Sequence, residues 1–213
     1  WMITELEQTP ERDFFTEVTG IDSELEDFVE SGPYGRQNEI RTRHDGPAFA
    51  DEEYVVKAFP ELTTGVLESN HELLDDAGVS YPSGVYWQEE INEESYTVLE
   101  QRRAESALDS GFWGRITRET EKLYDAAKST ASENIALDLK PQNFGFLEDQ
   151  IVYLDTGDPA SVKEYSSPRE ARRWMAESLL AGTDEAPLRV NCRPFRRIAT
   201  RLDPGVGDHY SAL

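Results

Sequence analysis

Asp138-Leu139-Lys140-Pro141-Gln142-Asn143, followed by Tyr153-Leu154-Asp155-Thr156-Gly157, is the stretch on which the reading of this chain turns. It sets two carboxylates, a carboxamide and a lysine within twenty residues. Asp138 has the chemistry to hold a hydroxyl nucleophile. Asn143 and Asp155 carry hard oxygens of the kind Mg²⁺ prefers. Lys140 offers a compact positive charge to a phosphate. Magnesium-dependent phosphoryl transfer asks for such a set, because it depends mainly on positioning and charge neutralisation. The plainer reading is a turn at Asp138-Leu-Lys-Pro with surface acids around it. In a chain with 43 acidic residues an isolated aspartate means little, so the weight rests on the spacing.

Outward from this stretch, two apolar segments at 144–147 and 151–154 flank Glu-Asp-Gln. They predict a short hairpin that fills the gap between Asn143 and Asp155 and returns the chain to the same place. Upstream, the pattern predicts a strand over 38–43, an Asp-Gly turn followed by polar residues, and a strand over 54–59. A helix follows over 62–77, with Gly78 as its terminating residue. A second hairpin is expected from 85–87 and 96–99, then helices over 104–112 and 115–129. Pro168 opens a further helix running to about 180. Beyond Gly182, irregular structure with one short helix near 195–202 is expected. Residues 3–21 read as a loose acidic arm or a short helix. Ser23-Glu-Leu-Glu26 is a capping-box pattern for a helix over 24–30 ending at Gly32. The same stretch also suits a first strand, and periodicity does not decide between them.

The order predicts an α+β fold with a mostly antiparallel sheet segregated from the helices. The character changes near 100–103. That gives an arm at 1–22, a sheet-rich part at 23–101 and a helical part at 102–213.

Composition narrows the function classes. The 213 residues carry a net charge of −22, with 5 lysines against 16 arginines. That balance resembles the proteins of salt-accumulating halophiles, a haloarchaeon or one of its viruses. At molar salt the screening length is about 3 Å, so crowded carboxylates no longer repel over distance. Intrinsic disorder is the competing reading of the acidity, and 4 Trp, 9 Tyr and 9 Phe argue against it. Mimicry of a nucleic acid by the acidic surface is another. Direct nucleic-acid binding is not expected, since it needs a basic footprint. The single cysteine, Cys192, excludes an intrachain disulfide framework. No apolar run approaches the length of a membrane helix and no signal peptide is visible, so a cytoplasmic protein is expected. His44, His71 and His209 are far apart and read as surface or packing residues.

Taken together, residues 28 to 181 resemble a small, divergent member of the protein-kinase-like fold. The resemblance implies a two-lobed molecule with a mostly antiparallel N-lobe sheet and a reduced helical C-lobe. It implies that Asp138 is the catalytic-loop aspartate, that Lys140 contacts the transferred phosphoryl group, and that Asn143 and Asp155 are the metal ligands. Tyr54-Val-Val-Lys-Ala58 is similar to the family's Val-Ala-Ile-Lys strand, which makes Lys57 the lysine on the α- and β-phosphates. Two of only five lysines thus fall on motif positions in a chain that prefers arginine. The lysine's partner would be Glu68, with Glu72 one turn on as the second choice. Gly32 and Gly35 match the last two glycines of the phosphate-covering loop, with Glu30 where the first would be. The adenine-binding hinge falls near Leu99 and Glu100.

The chain also departs from the pattern. Ala136-Leu137 replace the usual His-Arg, Thr156 replaces the phenylalanine of the magnesium element, and no Ala-Pro-Glu segment follows. Control by a phosphorylated activation loop is therefore not expected. The likeness is nearer to RIO-type archaeal kinases or small-molecule phosphotransferases of the same fold. The resemblance implies ATP and Mg²⁺ as cofactors and an unidentified hydroxyl as phosphate acceptor. The alternative is an inactive kinase-fold protein that binds a macromolecular partner, as in a viral assembly. Arg193-Pro-Phe-Arg-Arg197 would either bind an anionic substrate or lock onto the acidic body of the protein itself.

Overall fold

Val55, Val56, Ala58 and Phe59 make Tyr54–Pro60 a strong strand, and it lies inside the larger sheet. The computed structural model describes residues 53–60, 64–91, 94–107, 109–158, 160–184 and 186–206, and the strand backbones at 7–8, 39–42 and 46–50. Six strands form this sheet: β1 (Glu7–Gln8), β2 (Glu39–Thr42), β3 (Gly46–Ala50), β4 (Tyr54–Pro60), β5 (Gly84–Ile91) and β6 (Glu94–Arg102). Their spatial order is β1-β5-β6-β4-β3-β2. All neighbours are antiparallel except β1 and β5, which run parallel. Helix α1 (Thr64–Asp76) follows β4 in the chain. It ends at Gly78, whose φ of +67° is the left-handed conformation that a helix C′ position requires.

The second half carries helices α2 (Phe112–Arg118), α3 (Thr120–Ser132), α4 (Pro168–Asp184) and α5 (Arg193–Leu202). It also carries two small antiparallel sheets. One pairs β7 (Ile135–Leu137) with β10 (Val162–Glu164), the other β8 (Phe144–Leu147) with β9 (Gln150–Tyr153). In α3, Leu123, Ala127 and Ala131 form a buried stripe at helical spacing, and Ala171, Met175 and Leu179 do so in α4. These meet Phe195, Ile198 and Leu202 of α5 in one apolar core. The fold is α+β, with small antiparallel sheets and helices. By contact the chain divides into two units, 1–68 with 82–103, and 69–81 with 104–213.

Several expectations from the sequence are corrected. Residues 104–107 and 109–111 are not helical. Glu105 pairs with Phe146 through both main-chain hydrogen bonds, 2.9 Å each, and the helix begins at Phe112. Gly145 permits this approach, because a Cβ there would lie 2.9 Å from the Cβ of Ala104. Pairing outweighs helix propensity here. The stretch after the Asp-Gly turn is the strand β3, laddered on both sides, not a polar connection. Within the supposed arm, Glu7–Gln8 is a strand edge on β5. β7 and β10 are too short to show periodicity and were not expected. After Gly182, α4 continues to Asp184, and the short helix expected near 195–202 is present as α5. The helix considered for 24–30 and the histidines 44 and 209 lie outside the described residues. No helix among the described residues is long and apolar enough to cross a membrane.

Helix α5 pairs with Glu121 of α3 through Arg201, a residue beyond the 193–197 stretch. Arg201 donates to both carboxylate oxygens of Glu121 at 2.8 Å and stacks over Tyr124 at 3.7 Å. That hydrogen bond, with the nearby charge of Arg197, holds the Glu121 carboxyl below its ordinary range.

Candidate functional site

The catalytic-loop candidate begins where β7 ends. Ala136 and Leu137 are fully buried, so at these two positions the sequence builds core. Asp138 then turns out of the strand, its N–H donating to the carbonyl of Ser161 at 2.8 Å. Its Oδ2 lies 3.4 Å from the Lys140 ammonium, and its Oδ1 is buried with no hydrogen bond. Pro141 opens a 3₁₀ turn over Pro141–Asn143, where its fixed φ suits the first position. The turn points Asn143 back at the start of the loop, and its Nδ2 donates to the Asp138 carbonyl at 3.1 Å. Helix α4 supports the loop from behind. The Leu139 N–H donates to the Ser178 hydroxyl oxygen at 2.6 Å. Gly182 lets the two backbones touch, since a Cβ there would sit 2.8 Å from Lys140 Cα and Pro141 Cδ.

The β8–β9 hairpin then brings the chain back. Phe144 pairs with Tyr153, and the Leu154 N–H donates to the Asn143 carbonyl at 2.8 Å. This sets Asp155 beside the loop. The Ser161 hydroxyl donates to Asp155 Oδ2, and the Ser161 carbonyl accepts from the fully buried Tyr153 hydroxyl at 3.0 Å. That carbonyl is also the acceptor for Asp138, so Ser161 joins both carboxylate segments. The Tyr153 hydroxyl is pushed well above its ordinary pKa, first by burial and then by the negative charges of Asp155 and Asp138. Both carboxylates therefore act on one hydroxyl. Asp138, Lys140, Asn143 and Asp155 are brought together in the second unit.

The other expected residues belong to the first unit. Lys57 on β4 faces Leu99 on β6, which faces Tyr86 on β5. Directly opposed residues share a sheet face, so these three form one row. Leu99 and Tyr86 pack with Phe59 and with Leu67 of α1 in a buried cluster. The row therefore lies on the face that α1 covers. Glu68 follows Leu67 and accepts a 2.7 Å hydrogen bond from the Tyr86 hydroxyl. Leu99 and Glu100 lie mid-strand with β4 and β5 on either side, so their main chain is taken up in the ladder, which runs on to Arg102. Gly32 and Gly35 lie outside the described residues.

No protein-family model matches this chain, and no curated protein does. The residues and their geometry therefore carry the argument alone. Among the described residues no group of three or more His, Cys, Asp or Glu is placed to hold a metal by itself. Sequence reasoning missed Ser161, Ser178, Tyr153 and Tyr86. Serine and tyrosine have no distinctive spacing, and their partners lie 6 and 8 residues away for Ser161 and Tyr153, 18 for Tyr86 and 39 for Ser178.

Proposed function

We propose that this chain is an ATP- and Mg²⁺-dependent phosphotransferase with a two-lobed, protein-kinase-like fold, acting on a hydroxyl of a protein or a small molecule. The observation that supports it best is the meeting of Asp138 and Asp155 at Ser161 and Tyr153, with Lys140 and Asn143 on the same loop. The donor set fits a hard divalent ion. Buried polar atoms are normally hydrogen-bonded, and Asp138 Oδ1 is one that is not. Asn143 uses its amide nitrogen on the Asp138 carbonyl, which leaves the amide oxygen as its donor to a cation. Mg²⁺ is usually held by one or two protein carboxylates together with water and substrate phosphates, so no three-acid cage is required. Asn143 and Asp155 would hold it. When bound, the ion supplies charge neutralisation to the nucleotide phosphates.

In this reading Asp138 orients the acceptor hydroxyl and takes its proton, and Lys140 sets its charge against the transferred phosphoryl group. Lys57 binds the α- and β-phosphates with Glu68 as its partner, and Gly32 and Gly35 belong to the loop above them. Adenine recognition by the main chain at Leu99 and Glu100 forms no part of this proposal, because that main chain is paired in the ladder. A high-salt cytosol, or a virion, is the setting that suits the acidic composition.

The test is a thermal-shift titration with ATP and Mg²⁺ in molar KCl. A ligand present at 100 times its Kd stabilises by about 2.7 kcal/mol, so binding is readily seen. Metal-dependent stabilisation is expected. The Asp138→Asn variant should keep that shift and lose phosphoryl transfer by about 100-fold or more, the scale of a lost general base. A melting curve indifferent to millimolar nucleotide would favour the non-catalytic alternative, a kinase-fold binding component.

A further inference from the structure

Asn70 lies on α1, is 4% exposed, and directs its side chain at the chain just past Asp155. Its Nδ2 donates to the carbonyl of Thr156 at 2.8 Å and to the carbonyl of Asp158 at 3.2 Å. Both amide hydrogens are thereby used. Two carbonyls converging on one buried point call for a neutral group with two donors, and the carboxamide is the short side chain that supplies them. The Asp158 carbonyl also accepts from the Ser161 N–H at 3.0 Å, and the Asp158 side chain accepts from the Ala160 N–H at 2.7 Å. Ser161 then donates its hydroxyl to Asp155 Oδ2. The segment 155–161 is thus a closed polar ring. One end is fastened to Asp138 through the Ser161 carbonyl, and the middle is fastened to α1 through Asn70.

We propose that Asn70 is a positioning residue for Asp155. It fixes the main chain on the C-terminal side of the carboxylate and, through Asp158 and Ser161, the direction in which that carboxylate points. This rests on the reading of Asp155 as a metal ligand. Thr156 takes part through its carbonyl, because its own hydroxyl is buried without a hydrogen bond. A polar tie from α1 therefore holds the segment at the position where the resembled family uses a packed phenylalanine. Glu68 stands two residues before Asn70 on the same helix, so one helix carries both the carboxylate expected at Lys57 and the clamp on Asp155.

The test compares wild type with Asn70→Asp and Asn70→Leu. The first turns a double donor into an acceptor facing two carbonyls, and the second removes the donor from the Thr156 carbonyl and leaves the Asp158 carbonyl with the Ser161 N–H alone. Two readouts are needed: the Mg²⁺ concentration giving half of the ATP-dependent thermal shift, and amide hydrogen exchange over 155–161 with no ligand added. Supporting groups behind metal ligands typically change metal affinity by about 10–100-fold. Half-saturation by Mg²⁺ should rise by that factor in both variants while the ATP concentration dependence at saturating metal moves less than about threefold. Exchange over 155–161 should quicken, with the 84–102 strands unchanged. If Asn70→Asp and Asn70→Leu fail to fold, Asn70→Ser, small and with one donor, carries the same comparison. Variants that match wild type in Mg²⁺ half-saturation overturn the inference and leave the phosphotransferase reading standing. A wild-type chain that ignores ATP and Mg²⁺ overturns both, and faster exchange in the variants would then report a purely structural clamp.

Discussion

The expected residues of the first unit and those of the second are held by different means. In the first unit, Lys57, Leu99 and Tyr86 stand in a row because the β4-β6-β5 ladder puts them there. The main chain sets the spacing, and no single side chain holds it. In the second unit, Asp138 and Asp155 leave regular structure, and their placement depends on individual groups: the Ser161 hydroxyl and carbonyl, the Ser178 oxygen, the Asn70 amide and the bare Cα of Gly182. A sheet row should absorb single substitutions locally. A loop cluster pinned by single atoms should not.

Acid should break the second unit first and by the largest amount. His71 neighbours Asn70, is buried, and stacks on Tyr81 at 4.3 Å, while Tyr81 donates to Asp75 at 3.2 Å. Burial lowers its pKa from 6.5 to about 4, and its Nδ1 has no hydrogen bond. The sign follows directly. Between those values the unfolded chain binds a proton that the folded chain refuses, so stability falls as pH drops from 6.5 towards 4. The loss from this group approaches about 3 kcal/mol at the acid end. His71→Phe should be near neutral at pH 7 and should remove that part of the acid sensitivity. Denaturant titrations of both proteins across the window, compared by difference, isolate it from the many carboxylates. Parallel curves at every pH would show that His71 is not buried in its neutral form.

Gly182→Ala comes next. The added methyl meets Lys140 and Pro141 at 2.8 Å, mostly against backbone and a rigid ring, so the loop or α4 must shift. Overpacking of this kind costs about 1–3 kcal/mol, or about 2–4 °C in Tm per kcal/mol for a chain of this size. On the phosphotransferase reading, phosphoryl transfer should fall as well, because the displaced atoms carry Lys140. Ser178→Ala is smaller. It removes the acceptor for the Leu139 N–H and should cost about 1–2 kcal/mol if no water replaces it. A calorimetric Tm equal to wild type would mean that the loop stands without help from α4.

What the sequence made legible follows the same division. The Lys57 strand, the α1 helix with Gly78 behind it and the β8–β9 hairpin were readable, because each carries a period or a turn signal of its own. The grouping of Asp138, Lys140, Asn143 and Asp155 was readable from spacing, since a tight turn and a short hairpin leave little freedom between them. The supports were not readable. Asn70 reaches Thr156 across 86 residues and Ser178 reaches Leu139 across 39, and nothing local marks either. The non-helical course at Glu105 was hidden for a related reason: helix formers are overruled there by pairing with Phe146, which the absent side chain of Gly145 permits.

The smallest effect should come from the sheet row, at Tyr86→Phe. The Tyr86 hydroxyl donates to Glu68 at 2.7 Å, and its pKa is pushed up to about 12, by burial first and then by Glu68. The ring stays in the cluster with Phe59, Leu67 and Leu99 whether or not the hydroxyl is present. Glu68 is exposed and can return to water, so no buried charge is stranded. The expected loss is about 0.5–1 kcal/mol, below the usual value for a hydrogen bond to a charged group because Glu68 is solvated. If the hydroxyl holds Glu68 on the side of the sheet where Lys57 stands, ATP affinity should weaken by about two- to fivefold, the same energy expressed in binding. On the phosphotransferase reading, Mg²⁺ half-saturation should not move, because Asn143 and Asp155 belong to the other unit. A tenfold or larger change in the metal response on removing this one oxygen would show that the two groups of residues do not act independently. The contrast between a tolerant row and a pinned loop would then fail.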